Sequence, residues 1–271
     1  MNKDLSSKAS RWFEEHPALK NIQIPRCLRA RAAVREVTLH TFVDASEEAY
    51  GAASYTRHLY EDGTVSCYLF ASKSRVVPLQ AVSIPILELM AAVVGLKLSQ
   101  AVSQALGVKK EEWIFWSDNM DVMYWIRGQR KKFKPFVANR VGEIQASTNP
   151  EQWRYVPTKQ NPADLLTRGL SVSSLSEQER WWKGPSFLKQ DSSEWPSTKI
   201  EHKRETNVEL RKLGQTKERS GEDTFLSLIT EDRLEPQIFS SWTMLTRTAA
   251  WVYRFIENRR SPVTTRRQGT K

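Results

Sequence analysis

The period of apolar and polar positions changes several times along the chain. Val37, Leu39, Thr41 and Val43 alternate with Thr38, His40 and Phe42, the period-two pattern of a strand rich in β-branched residues. It ends on Asp44. After a short turn over Ala45–Ala49, Gly51–Tyr60 reads as a second strand, Glu61-Asp62-Gly63 as a hairpin turn, and Val65–Lys73 as a third strand. Val76–Pro85 is a loop bounded by two prolines. Leu87, Ala91, Val94 and Leu98 then share one face of a helix running from Ile86 to Leu106, with Gly107 as its stop. Trp113–Trp116 is a short apolar strand leading into Ser117-Asp118. Met120–Ile126 and Phe136–Ala146 read as helices, Gln152–Val156 as a fifth strand, and Ala163–Arg168 as the start of a further helix.

This order, βββαβααβα, limits the topology. A strand-helix-strand crossover between neighbours is right-handed and parallel, so the first strand should lie beside the fourth. The expected fold class is α/β. It is a mixed five-stranded sheet, a three-strand antiparallel meander plus two parallel strands, flanked by helices. The expected divisions are an irregular, extended lead-in at 1–35, the main domain at 36–185, and a polar, flexible linker at 186–236. An amphipathic helix follows at 237–260, through Trp242, Leu245, Ala249, Val252 and Phe255, and then a basic tail at 261–271.

Charge adds a partner to this picture. The 271 residues carry a formal charge of +10 and a pI of about 9.6, which favours a polyanion such as nucleic acid over an acidic or neutral partner. Hydrophobic residues make up 39 %, enough for one ample core, while the mean hydropathy of −0.55 implies that part of the chain lies outside it. Cys27 and Cys67 have neither the number nor the spacing for a disulfide framework or a zinc site. The polar start MNKDLSSKAS lacks a signal peptide's apolar run, and no apolar run is expected to span a membrane. A soluble protein of the cytoplasm or nucleus, with no membrane partner, is expected.

Four acids in four segments are the candidate chemistry. In open α/β sheets sites form at the carboxyl ends of strands. Asp44 ends the first strand and Asp118 the fourth, so both should emerge at one edge. Glu88 lies in the first turns of the long helix, beside its buried stripe, and Asp164 starts a later helix. Four such carboxylates suit two divalent cations roughly 4 Å apart, the arrangement that supports phosphoryl transfer, with Mg²⁺ the natural choice and Mn²⁺ an alternative. Each acid also fits a plainer role: Asp44 a turn former, Glu88 a solvated helix residue, Asp118 a helix N-cap, Asp164 a partner of the helix dipole. Asp121 is the rival ligand, and Ser46 and Asn119, beside the acids, are weaker candidates for strand contact.

The segments FVDAS, LELMAA, WSDN and NPADLLTRG, in this order, resemble the ribonuclease H domain of retroelement polyproteins. VANRVGEIQ and WRYVPTKQNPADLLTRG are most similar to the BEL/Pao type of LTR retrotransposon. The resemblance covers about residues 36–170. It implies a ribonuclease H-like fold and a fragment of a Pol polyprotein. It also implies a two-metal ribonuclease acting on the RNA strand of RNA/DNA hybrids, with Asp44, Glu88, Asp118 and Asp164 as catalytic metal ligands. Reverse transcriptase and integrase segments of the parent polyprotein would be its neighbours. One departure stands out: the mobile histidine of many cellular ribonucleases H has no counterpart in Thr158-Lys159-Gln160-Asn161.

Arg127, Arg130, Lys131, Lys132, Lys134 and Arg140, interleaved with Phe133 and Phe136, form the candidate nucleic-acid contact. A cationic segment there would bind phosphates with salt-dependent affinity; a solvated charged turn is the plainer alternative. Three function classes follow: a metal-dependent hybrid nuclease, a catalytically silent nucleic-acid-binding remnant, and an integrase-type nuclease. The third is disfavoured by Glu88 and the NPAD segment.

Overall fold

The computed structural model describes residues 3–24, 33–80, 82–197 and 209, all within the unit Met1–Arg211. The expected helix at 237–260, the basic tail at 261–271 and the linker beyond 197, Glu209 apart, lie outside the described residues.

A helix the sequence pattern did not suggest comes first: α1 (Lys3–Glu15), followed by a 3₁₀ segment, His16–Asn21. The lead-in expected to be irregular is helical over this stretch. Pro17 opens the 3₁₀ segment instead of breaking up the whole stretch, since proline is well tolerated in a first helical turn. The sheet then begins with β1 (Val34–Ala45), β2 (Ala49–Tyr60) and β3 (Val65–Val76). Gly63 takes φ 77° in the β2–β3 turn, and Asp62 Oδ1 accepts from the Thr64 backbone N–H at 3.0 Å. After α2 (Ile84–Leu106) come β4 (Trp113–Ser117), α3 (Met120–Arg127), α4 (Pro135–Ser147), β5 (Trp153–Tyr155) and α5 (Ala163–Arg168). Two short helices, α6 (Val172–Glu177) and α7 (Glu179–Lys183), lead into 3₁₀ turns at Ser186–Lys189 and Ser192–Glu194.

The strand order is β3-β2-β1-β4-β5, with β1–β2 and β2–β3 antiparallel and β1–β4 and β4–β5 parallel. This is the mixed sheet that the order of elements implies. One face is covered by α2, α3 and α4, burying Leu39, Val43, Ala52, Phe115 and Trp153 with Leu87, Ala91, Leu96, Val122 and Ile144. The approach of α2 is close at Gly95, where a Cβ would stand 2.6 Å from Val43 Cγ1. α2 is long and apolar enough to cross a membrane, unlike what the sequence reading expected of any segment, but here it packs against β1, β2 and α4 as a core helix.

The other face is covered by the chain that follows α5. Phe42, Tyr55 and Trp116 from the sheet pack with Trp181, Phe187, Leu188 and Trp195. Tyr55 donates its hydroxyl to the Trp181 carbonyl at 2.8 Å, and Arg57 donates Nε to the Leu188 carbonyl at 2.7 Å. Trp195 lies under both Arg57 and Arg154, at 5.4 and 5.3 Å from ring centre to guanidinium carbon. The packed domain therefore runs at least to Trp195, past the end at 185 expected for it. Cys67 is a free thiol in this layer, pushed up to about 12 by burial.

Candidate metal centre

The site grows out of strand register. Phe42 of β1 pairs with Trp116 of β4 in parallel. Asp44 and Asp118 each lie two residues further on, so both emerge at the carboxyl edge of neighbouring strands. Glu88 reaches the same edge from the first turns of α2, where it is buried with Leu87 and Leu89 on either side. Asp44, Glu88 and Asp118 each offer a carboxylate oxygen, and these oxygens all lie within 4.8 Å of one another.

Asp44 and Glu88 are each only 5 % exposed. Burial, with smaller contributions from Asp118 and Asp164, raises Asp44 to about 7 against the hydrogen bond from Thr167. Burial, then Asp44 and Asp118, raises Glu88 to about 9, while a backbone hydrogen bond from Ala45 opposes the shift. Glu88 Oε2 is buried without a hydrogen-bond partner. A buried oxygen so placed costs free energy until a proton or a cation meets it. The donor set is all oxygen, the chemistry of a hard divalent ion, and these residues fit one.

Asp164 stands differently from its sequence expectation. Among the described residues, the group that meets within 4.8 Å is Asp44, Glu88 and Asp118, without Asp164. Asp164 instead pairs with Arg168 Nε at 2.5 Å, one turn along α5, while remaining near enough to act on Asp44. Asp121 also lies outside the group. The N-cap of α3 is Asn119, whose Oδ1 accepts from Asp121 N at 3.0 Å and Val122 N at 3.1 Å. That removes the capping role from Asp118 and commits the Asn119 oxygen to the helix. Ser46 is likewise committed. It donates to the Thr167 carbonyl at 3.0 Å and accepts from Ala49 N at 3.1 Å.

Two residues at this edge escaped the sequence reading. Thr167 donates its hydroxyl to Asp44 Oδ2 in a short hydrogen bond. Asn161, wholly buried, donates Nδ2 to the Val43 carbonyl at 3.0 Å and to Asp118 Oδ1 at 3.4 Å. Their place in the segment NPADLLT was the available signal, since a buried polar residue beside candidate ligands calls for a partner.

The basic segment lies at the other end of α3 from Asp118, about 12 Å away along an eight-residue helix. Its members differ. Arg127 donates Nη2 to the Trp153 carbonyl at 3.2 Å, and the Arg140 guanidinium carbon lies 4.0 Å over the centre of the Phe136 ring. Lys134 Nζ is 3.7 Å from Glu209 Oε2. Arg130, Lys131 and Lys132 are exposed on a single 3₁₀ turn. Phe133 is buried in the core, which takes it out of any contact surface; Phe136 stays 39 % exposed. An open groove of about 700 Å³, lined by Lys110, Trp113, Gln152 and Arg154 among others, lies at the amino ends of β4 and β5, away from the carboxylates.

Sheet order, helix placement and the acidic edge define a ribonuclease H-like α/β domain. The model of the Pao retrotransposon-like RNaseH-like domain matches residues 1–119, a stretch that includes Asp44, Glu88 and Asp118 and stops before Asp164. The matched stretch is thus similar to the Pao retrotransposon-like RNaseH-like domain over less than half of the chain, in line with the resemblance of its motifs. Among solved structures, the chain is similar to the N-terminal RNase H domain of a Mycobacterium tuberculosis protein, with 15 % identity, 46 % of this chain and 89 % of that one covered, and a TM-score of 0.30. It is similar to RNase H1 from Halobacterium salinarum, with 15 % identity, 46 % and 89 % covered, and a TM-score of 0.29. LC11-RNase H1 in complex with an RNA/DNA hybrid has 14 % identity, 52 % and 99 % covered, and a TM-score of 0.33. No curated protein matches the chain.

Proposed function

We propose that this protein is a metal-dependent endonuclease that cuts the RNA strand of RNA/DNA hybrids. The observation that carries this reading is the meeting of Asp44, Glu88 and Asp118 within 4.8 Å at one sheet edge. The family match over the same three acids supports it. In this reading Asp44, Glu88 and Asp118 would hold Mg²⁺, or Mn²⁺ in its place, and Asp164 would supply a fourth carboxylate for a second ion in place of its ion pair with Arg168. Such ions, when bound, supply Lewis-acid stabilisation of a phosphoryl oxygen and lower the pKa of water.

The chain's own part is to orient and to exclude. Burial of Asp44 and Glu88 keeps competing water from their oxygens. The exposed turn Arg130–Lys132 provides cations for the substrate backbone. Selectivity for a hybrid rests on groove shape and 2′-hydroxyl contacts.

The test is cleavage of a labelled RNA/DNA hybrid with Mg²⁺ and with EDTA. The expected result is RNA-strand products in Mg²⁺ alone, and none from Asp118→Asn or Glu88→Gln. Undiminished cleavage by Asp118→Asn sinks the proposal. A silent nucleic-acid-binding remnant is the second reading, favoured by the Asp164–Arg168 ion pair. Salt-sensitive hybrid binding without any metal-dependent product would establish it instead.

A further inference from the structure

We infer that Asn161 and Thr167 are positioning residues that hold Asp118 and Asp44 in the geometry that receives a divalent cation. This rests on the nuclease reading and adds to it the side chains through which α5 sets the site. Asn161 is wholly buried, and its amide is spent on three groups at once. Nδ2 donates to the Val43 carbonyl at 3.0 Å, one residue before Asp44, and to Asp118 Oδ1 at 3.4 Å. Oδ1 accepts from Ala163 N at 3.1 Å, at the first turn of α5. The end of β1, the Asp118 carboxylate and the start of α5 are thereby tied to one planar group. Pro162 adds rigidity, because the residue before a proline is held in the extended region. Asn161 has φ −73° and ψ 110°.

One turn along α5, Thr167 closes the second half of the clamp. Its hydroxyl donates to Asp44 Oδ2, and its carbonyl accepts from Ser46 Oγ at 3.0 Å. Asp44 is therefore gripped at its side chain by Thr167 and approached through its backbone by Asn161. A hydroxyl donor on one carboxylate oxygen leaves the other available to a cation. It also fixes the carboxylate's rotation, which a cation with a strict octahedral preference requires. Groups that orient metal ligands in this way alter metal affinity by about 10–100-fold when removed.

The experiment is calorimetric titration of Mn²⁺ into the protein and its Asn161→Ala, Thr167→Val and Thr167→Ser variants, with thermal melting of each. Thr167→Val keeps the side-chain volume and loses the donor; Thr167→Ser keeps the donor. The expected result is binding weakened about 10–100-fold in Asn161→Ala and Thr167→Val, near-native binding in Thr167→Ser, and cooperative melting throughout. Native affinity in both Asn161→Ala and Thr167→Val overturns the inference. So does a loss of binding that merely follows the lost folded fraction. If the unaltered protein takes up no Mn²⁺, the nuclease reading itself fails, and that outcome is distinct from either.

Discussion

Gly51 is the cross-strand partner of Asp44, and the space its side chain would need is filled by β3. A Cβ at Gly51 would stand 2.3 Å from the Lys73 carbonyl oxygen and 2.9 Å from Ser74 Cα. Backbone cannot yield as the tip of a flexible side chain can. Gly51→Ala is therefore expected to push β2 and β3 apart beside the acidic edge and to cost about 1–3 kcal/mol, the usual range for overpacking. Urea unfolding of the two proteins measures this. A loss below about 0.5 kcal/mol, the range of neutral surface changes, would show that the strands part freely.

The raised carboxyl groups give the metal-free protein a characteristic pH dependence. Asp44 and Glu88 titrate near 7 and 9 in the fold, against ordinary values of 3.8 and 4.5. The folded state thus binds more protons than the unfolded chain over this interval. Its contribution to stability is full below about pH 4 and is lost as pH rises through 7 and 9. In EDTA, the melting temperature should fall between pH 5 and pH 9. Glu88→Gln should flatten much of that slope, and saturating Mn²⁺ should raise the alkaline end most, since the ion replaces the protons. A melting temperature that climbs with pH in EDTA contradicts the assignment.

The acidic edge was legible in the sequence largely because strands count in twos. Once Val37–Val43 is read as a strand and Trp113–Trp116 as its parallel neighbour, Asp44 and Asp118 can only leave at the same end, and the pairing of Phe42 with Trp116 bears this out. Glu88 was legible from its place beside the buried stripe of α2. Asn161 and Thr167 were not, because a hydrogen bond from a side chain to a carbonyl or carboxylate leaves no periodicity to read. The part of the second face's cover that lies beyond residue 185 was missed for a related reason. Phe187, Leu188 and Trp195 sit in short turns too brief to repeat. Only a few large apolar residues in an otherwise polar stretch mark them.

That second face yields a prediction about chain length. A chain ending at Pro185 loses Phe187, Leu188 and Trp195, each worth about 1.5–3 kcal/mol when buried. It also leaves Arg57 without its acceptors at Leu188 and Gln190. A chain ending at Ser197 keeps all of them. The shorter chain should fail to melt cooperatively, while the longer one should melt as a single transition in the same scan. Equal melting of the two would mean that the sheet holds without its cover.

The basic turn should be felt in the salt dependence of hybrid binding, measured in EDTA so that no product forms. Replacing Arg130, Lys131 and Lys132 by alanine should make the plot of log affinity against log salt shallower, by about 0.9 for each phosphate that is no longer neutralised. Parallel plots for the two proteins would place the cations that grip the backbone elsewhere.

The two hydrogen bonds that join α5 to the end of β1 span 121 and 123 residues of sequence. Contacts that far apart form late, because the intervening loop must close before they are rewarded. During synthesis, β1 through β4 leave the ribosome with Asp44, Glu88 and Asp118 already in the chain but without the helix that orients them. On the nuclease reading, the acids are therefore set in place only once nearly the whole domain has emerged, so that the site matures last of all its parts.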